Sequence, residues 1–422
     1  MENAYLKIAK DSRKYKAIQN LMPKITKENL INQHKLQMSR KATGIDRINK
    51  TEYGKNLEQN IEELLRKMKN FSYKPKPVRR VNIPKSGSCK LRPLGIPAYE
   101  DKLVQGVMAN ILNAIYEPKF KEFSYGFRPK RSCHNAIKAL DTVIMTQKTR
   151  FVVDADIKGF FDNVSHDWLI KFLEHDIKDK NFIRYIKRFL KAGIMEQGKY
   201  IESDKGTPQG GLISPILANV YLHYVLDLWF EKEVTKKFNG ESYMVRYADD
   251  FVCCFRYENE ANKFYKMLEE RFRKFGLELS KDKTKIVHFG RFARRNERET
   301  KFDFLGFTLI NGVSRTGKYI VMYRTSQKKL SSKMKAAKEW LRKNMHINKC
   351  ELVKKLNIKL IGHYRYYGIT GNLHKFEVFY RYITRELYKT LNKRSQRRMT
   401  WEKFNNFLKY NTIAQPKIYF SL

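Results

Sequence analysis

Two adjacent carboxylates, Asp249 and Asp250, interrupt an otherwise apolar run, Met244-Val-Arg-Tyr-Ala-Asp-Asp-Phe-Val-Cys-Cys-Phe255. An ionised carboxylate is costly between apolar strands unless a turn exposes it or a cation neutralises it. A second acidic cluster stands in Val152-Val-Asp-Ala-Asp-Ile-Lys-Gly-Phe-Phe-Asp162, where a short strand ends at Asp156. Oxygen-only ligands suit hard cations, and Mg²⁺ typically takes one or two carboxylates together with phosphate oxygens. Two such ions about 3.5–4 Å apart would activate an attacking hydroxyl and stabilise the leaving group of a phosphoryl transfer. Residue types alone leave a plainer reading open. Asp-Asp is ordinary turn composition, and Asp is an ordinary strand-end or helix N-cap residue.

The elements that must position these residues are mixed. Helical spacing of apolar residues marks 57–68, 103–116, 168–172 and 261–275. Strand composition marks 78–83, a second short strand toward Ile96 after the Lys85-Ser-Gly-Ser88 turn, the segment 151–156, the Asp249-Asp250 hairpin, and 302–309. Residues 1–75 are Lys-rich and mostly helical in pattern, with a break at Gly44-Ile-Asp46. The apolar stretch 212–230 contains Pro215, Asn219, His223 and Asp227, so it reads as a buried amphipathic helix and not a membrane span. From about residue 325 the pattern becomes Lys-rich amphipathic helices.

Lys and Arg number 86 against 43 acidic residues, a formal charge of +43 over 422 residues. Such an excess opposes compaction and calls for a polyanionic partner. The basic residues are spread along the chain, which favours a long nucleic-acid track over a local patch. A hydrophobic content of 42% excludes a disordered chain, and the length suggests two or three domains. The cysteines Cys89, Cys133, Cys253, Cys254 and Cys350 are odd in number and form no Cys-x-x-Cys pair, pointing to a reduced cytosolic protein with no zinc module. The opening Met-Glu-Asn-Ala-Tyr-Leu-Lys lacks the apolar core of a signal peptide.

Taken in order, these segments resemble the motifs of reverse transcriptases, most closely the group II intron-encoded reverse transcriptase/maturase family, from about residue 30 to the C-terminus. Tyr247-Ala-Asp-Asp250 is similar to that family's signature, and Asp156-Ile-Lys-Gly-Phe-Phe161 to its first palm motif. The resemblance implies an α+β right-hand polymerase, with fingers and palm built of antiparallel sheet and helices, followed by an all-helical thumb/maturase domain. It implies Asp156, Asp249 and Asp250 as the catalytic, metal-binding triad for two Mg²⁺ ions, with Mn²⁺ as a substitute. Lys85 and Arg92 would clasp the incoming triphosphate, a role that suits bidentate Arg. Phe161 would lie beneath the sugar and clash with a 2′-hydroxyl, making the product DNA. Gln209, in Gly206-Thr-Pro-Gln-Gly-Gly211, would line the nucleotide pocket, and Lys283, in Leu277-Glu-Leu-Ser-Lys-Asp-Lys-Thr-Lys-Ile286, would stand near the leaving pyrophosphate. Leu305 and Gly306, in Phe304-Leu-Gly-Phe307, resemble the primer grip, a turn that holds the primer terminus.

The likeness continues outside the palm. Tyr125-Gly-Phe-Arg-Pro-Lys-Arg131 is similar to the segment between fingers and palm, with Arg128 either structural or template-facing and Arg131 beside it as a nucleic-acid contact. Tyr364, Arg365 and Tyr367, in Gly362-His-Tyr-Arg-Tyr-Tyr-Gly368, suit stacking on RNA or packing of the helical core. Arg394, Arg397 and Arg398 fit a short basic DNA-binding segment. The last cysteine is Cys350 and the last histidine His374, so no zinc nuclease of the His-Asn-His type is expected to follow.

The expected outline is an N-terminal extension and start of the fingers over 1–75, fingers and palm over 76–324, thumb/maturase over 325–390, and a DNA-binding segment over 391–422. The expected activity is RNA-directed DNA polymerisation with maturase-type binding of structured RNA such as a group II intron. The expected partners are an RNA template with a DNA primer, dNTPs and target DNA, with no membrane, in the cytoplasm at the nucleoid or in a ribonucleoprotein. A domesticated relative serving phage defence, CRISPR adaptation or DNA repair would carry the same motifs, as would a mainly RNA-binding splicing maturase.

Overall fold

The computed structural model describes residues 2–84, 91–208, 210–293, 300–394 and 398–422, so Lys85, Gln209 and Arg397 lie outside the described residues. In chain order the strands are β1 (Val78–Pro84), β2 (Leu91–Ile96), β3 (Phe151–Asp156), β4 (Ile194–Glu196), β5 (Lys199–Ile201), β6 (Ser242–Tyr247), β7 (Asp250–Phe255), β8 (Lys285–His288), β9 (Lys301–Phe304), β10 (Phe307–Val313) and β11 (Tyr319–Thr325). They form three sheets, ordered β2-β1-β4-β5, β6-β7-β3-β8 and β11-β10-β9. With helices on all sides, this is the mixed α+β fold expected.

The central sheet β6-β7-β3-β8 is antiparallel throughout, yet its two middle strands are apolar on both faces. A sheet reads that way when both faces are covered. Successive side chains alternate between faces, and here they divide between two cores. Phe151, Val153, Ala155, Phe251, Cys253 and Phe255 join one core, with the helices Tyr99–Tyr116, Ser214–Leu222 and Glu258–Lys274. Val152, Val252 and Cys254 join the other, with the helix Cys133–Thr146, the β9–β11 sheet and the C-terminal helices. The second core therefore runs without interruption from the central sheet into residues beyond 325. Full burial of such side chains is worth roughly 1.5–3 kcal/mol each before entropy is counted.

Local signals explain the flanking helices. Ser132 caps the helix Cys133–Thr146 in a reciprocal box with Asn135, and Asp179 caps Lys180–Leu190 through the backbone N–H groups of Asn181 and Phe182. The stretch expected as one amphipathic helix over 212–230 starts at Ser214, with Pro215 in its first turn. It then winds through two π-helical turns, His223–Asp227 and Phe230–Val234. The run expected as one strand over 302–309 is two: β9 and β10 are joined at Leu305-Gly306. Both of these residues have positive φ, 50° and 82°, the backbone of a type I′ hairpin turn. Among the described residues no helix is long and apolar enough to cross a membrane.

Candidate active site

The two acidic segments meet at the end of the central sheet. Asp156 closes β3 and Asp250 opens β7, and the two are direct cross-strand partners. Cross-strand partners project to the same face. By strand alternation that face is the one bearing Val152, Val252 and Cys254, so the carboxylates stand where the second core stops. Asp249 sits one residue before Asp250, in the two-residue turn between β6 and β7. Asp154 shares the face of Asp156 one step deeper, opposite Val252 and Lys285.

The electrostatics agree with this crowding. Desolvation by the surrounding protein, reinforced by the charges of Asp249 and Asp156, pushes the Asp250 carboxyl up to about 6, although the residue is exposed at the start of β7. Burial also raises Asp249, with Asp156 adding to the shift and Arg92 and Lys283 opposing it. Asp154 is pushed up to about 7, chiefly by burial. Three basic side chains thus act on the acidic end: Arg92 from β2, Lys283 from the loop before β8, and Lys329 from the helix Gln327–Lys343. Lys283 makes direct contact, its Nζ 2.6 Å from Asp156 Oδ2. Lys329 escaped the sequence reading because nothing in its Lys-rich helix distinguishes it from its neighbours.

Asp156, Asp249 and Asp250 form an oxygen-only donor set, and the Lys283 ammonium already occupies the place of a counter-cation on Asp156. Both observations fit a hard divalent cation. Among the described residues, no group of three or more His, Cys, Asp or Glu side chains is drawn together closely enough to hold a metal as it stands. A cation at these carboxylates would compete with Lys283 for Asp156.

Around the carboxylates lie the other expected site residues. Phe161 is half-buried in the short helix Phe160–Asn163 and lines a cleft of about 630 Å³ with Pro93, Gly95, Gly206 and Thr207. That cleft lies between the sheet β2-β1-β4-β5 and the loop 202–208. The loop behind it is pinned by a hydrogen bond from Thr207 N to Phe161 O, 2.7 Å. Gly206 has a φ of +86°, and a Cβ there would lie 2.9 Å from the carbonyl oxygens of Phe161 and Asp162. Arg92 is exposed on β2, opposite Ile83 on β1. At the third sheet, the Leu305 carbonyl accepts a hydrogen bond from Tyr366 Oη, 3.1 Å, which ties the β9–β10 turn to the helix Lys349–Tyr367.

Residues 83–309 match the family model described as reverse transcriptase (RNA-dependent DNA polymerase), just over half of the 422 residues. The chain belongs to the reverse transcriptase family. Within it the similarity is to the group II intron-encoded reverse transcriptases and maturases. The group II intron-encoded protein LtrA of Lactococcus lactis subsp. cremoris is 32% identical over 408 residues, covering 76% of this chain and 65% of that protein. Protein YkfC of Escherichia coli (strain K12) is 34% identical over 351 residues, covering 74% of this chain and 88% of that protein. A shorter match, 25% over 178 residues, reaches the mitochondrial nuclear intron maturase 2 of Arabidopsis thaliana. The chain thus spans a little under two thirds of the length of LtrA.

Several basic and aromatic residues expected to touch nucleic acid are otherwise engaged. Tyr364 is fully buried and Tyr367 is buried at 5% exposure, both in the second core, so neither ring is free to stack on a base. Helical spacing points them inward, whereas Arg365 and Tyr366 on the same turn stay exposed. Arg128 is buried too, with its guanidinium on Glu117 and on the Lys121 and Ser124 carbonyls. Arg131 pairs with Glu122 at 2.6 Å, and Arg394 donates to the Ile347 carbonyl. Arg398 is exposed.

Proposed function

We propose that this protein is an RNA-directed DNA polymerase that adds dNTPs to a primer 3′-hydroxyl. Asp156, Asp249 and Asp250 would hold the divalent ions. The observation that carries the reading is the register of β3 against β7, with Asp156 directly opposite Asp250 at the end of the central sheet. When bound, Mg²⁺ supplies activation of the attacking hydroxyl and neutralisation of the leaving pyrophosphate. The chain's own residues do the rest. Arg92 and Lys283 draw the polyanionic triphosphate toward the carboxylates, Phe161 contacts the sugar from the cleft wall, and the Leu305-Gly306 turn supports the primer terminus. The test is primer extension on an RNA template with and without Mg²⁺. Replacing Asp249 by Asn should cut kcat by at least about 100-fold with the protein folded, as expected when stabilisation of developing charge is lost. Equal activity of wild type and variant would sink the proposal. Phe161→Ala should narrow the kcat/KM ratio between dNTPs and NTPs, and an unchanged ratio removes Phe161 as the sugar gate.

Binding of structured RNA of the group II intron type is the second part of the proposal. It rests on the charge of +43 and on the similarity to the group II intron-encoded protein LtrA and to the Arabidopsis nuclear intron maturase 2. Affinity should fall steeply with salt because phosphate contacts release counterions. A flat salt response would remove the polyanion from the reading.

A further inference from the structure

The turn that carries Asp249 and Asp250 is held in an unfavourable backbone conformation by a buried device that lies behind it. Of its two central residues, Ala248 has a φ of +57°, in the region that favours glycine. Directly behind the turn, Arg246 is fully buried on β6, an expensive place for a guanidinium. Its charge is met by Asp227, also fully buried, in a bidentate pair of 2.7 Å from Nε and 2.5 Å from Nη2. Asp227 closes the π-helical turn His223–Asp227, a feature that re-aims a side chain within a helix. The remaining arm, Nη1, points back at the hairpin. It donates to the Ala248 carbonyl at 3.0 Å and to Asn219 Oδ1 at 3.1 Å.

The device continues into a third segment. Asn219 Nδ2 donates to the Gly126 carbonyl at 2.7 Å, and a Cβ at Gly126 would stand 2.2 Å from Ala248 N. Ser124 bridges Arg246 in parallel, with Tyr125 N donating to Arg246 O and Arg246 N donating to Phe123 O, both at 2.8 Å. The backbone of 123–126 is therefore laid against β6, and its glycine lies against the Ala248 peptide. We infer that Arg246 is a positioning residue whose guanidinium, neutralised by Asp227 and aligned by Asn219, holds the Ala248 carbonyl and so sets the turn that presents Asp249 and Asp250 to a divalent cation. This inference rests on the reading of Asp156, Asp249 and Asp250 as the metal-binding set.

Arg246→Ala and Asp227→Ala would each strand a buried charge, so the informative variant is Arg246→Lys. A lysine keeps the charge opposite Asp227 but has no fork with which to reach Ala248 and Asn219 as well. The readout is Mn²⁺ binding by the full chain, followed from the electron paramagnetic resonance signal of free Mn²⁺, with Asp249→Asn as the reference for loss of the site. Arg246→Lys should raise the Mn²⁺ dissociation constant several-fold while circular dichroism and template-primer binding stay as in wild type. In primer extension it should lower kcat and leave the KM for dNTP in place. Ala248→Gly adopts the positive φ unaided, so Arg246→Lys should weaken Mn²⁺ binding much less in that background. Unchanged Mn²⁺ binding in Arg246→Lys would overturn the inference, and so would an equal loss with and without Ala248→Gly. If Arg246→Lys does not fold, Asn219→Ala is judged by the same two outcomes. A wild type that binds Mn²⁺ through Asp249 but extends no primer would overturn the functional proposal and leave this inference standing on its binding data. A wild type that binds no Mn²⁺ would overturn both.

Discussion

The Asp156–Lys283 ion pair is a contact with which a cation at the acidic cluster would compete. Its lysine side chain is 60% exposed and its aspartate 24% exposed. Ion pairs of that exposure are worth up to about 1 kcal/mol, a factor of about 5 in a binding constant. Removing the lysine should therefore help a bare divalent cation while hurting a triphosphate that needs the positive charge. Lys283→Ala should bind free Mn²⁺ up to about 5-fold more tightly and show a higher KM for dNTP. Weaker Mn²⁺ binding in that variant would mean that the ammonium does not compete at the site. The acidic residues were legible in the sequence because carboxylates in an apolar run are costly and demand a reason. Arg246, in the same run, breaks the same rule and went unread, since its partners Asp227 and Asn219 arrive from a helix elsewhere in the sequence.

At the scale of elements, patterning located what was long and two-faced. The strand 151–156 and the helices around 57–69, 99–116 and 258–274 follow from apolar period. β4, half-buried, and β5, exposed, are three residues each and carry no alternation that could announce them. Composition merged β9 and β10 into one strand because apolar residues continue through their turn at Leu305-Gly306, whereas the resemblance to the primer grip implied a turn there. That glycine has a clear structural demand. Gly306→Ala must hold φ near +82° and bring a Cβ to 3.1 Å from Tyr367 Oη. The expected cost is about 1–2 kcal/mol in urea unfolding, and a change below about 0.5 kcal/mol would show the turn to be tolerant. The burial of Tyr364 and Tyr367 belongs to this scale as well: residue type left stacking and packing open, and helix orientation decided it.

At the scale of the whole molecule, each of the two cores holds a buried neutral imidazole. Burial pushes His223 down to about 4, and His363 likewise down to about 4. An unfolded histidine titrates near 6.5, so between pH 6.5 and 4 these two imidazoles bind more protons unfolded than folded. Their contribution to stability therefore rises with pH across that window, whereas Asp154 and Asp250, raised by burial to about 7 and about 6, contribute in the opposite sense. The change in unfolding temperature from pH 7 to pH 5 should be more favourable to the folded state in His363→Phe than in wild type, and an identical change in the variant would remove His363 from the acid response. The second core also bears on how the chain is made. The face of the central sheet that bears Val152 and Val252 belongs to a core shared with the earlier helix Cys133–Thr146 and with residues that come much later, including Leu352, Phe376, Phe404 and Ile413. At a synthesis rate of about 5–20 residues per second, that core stays incomplete on the ribosome for some tens of seconds. A protein assembled in this order should depend on holding chaperones, or on its own polyanionic partner, until the last helices emerge.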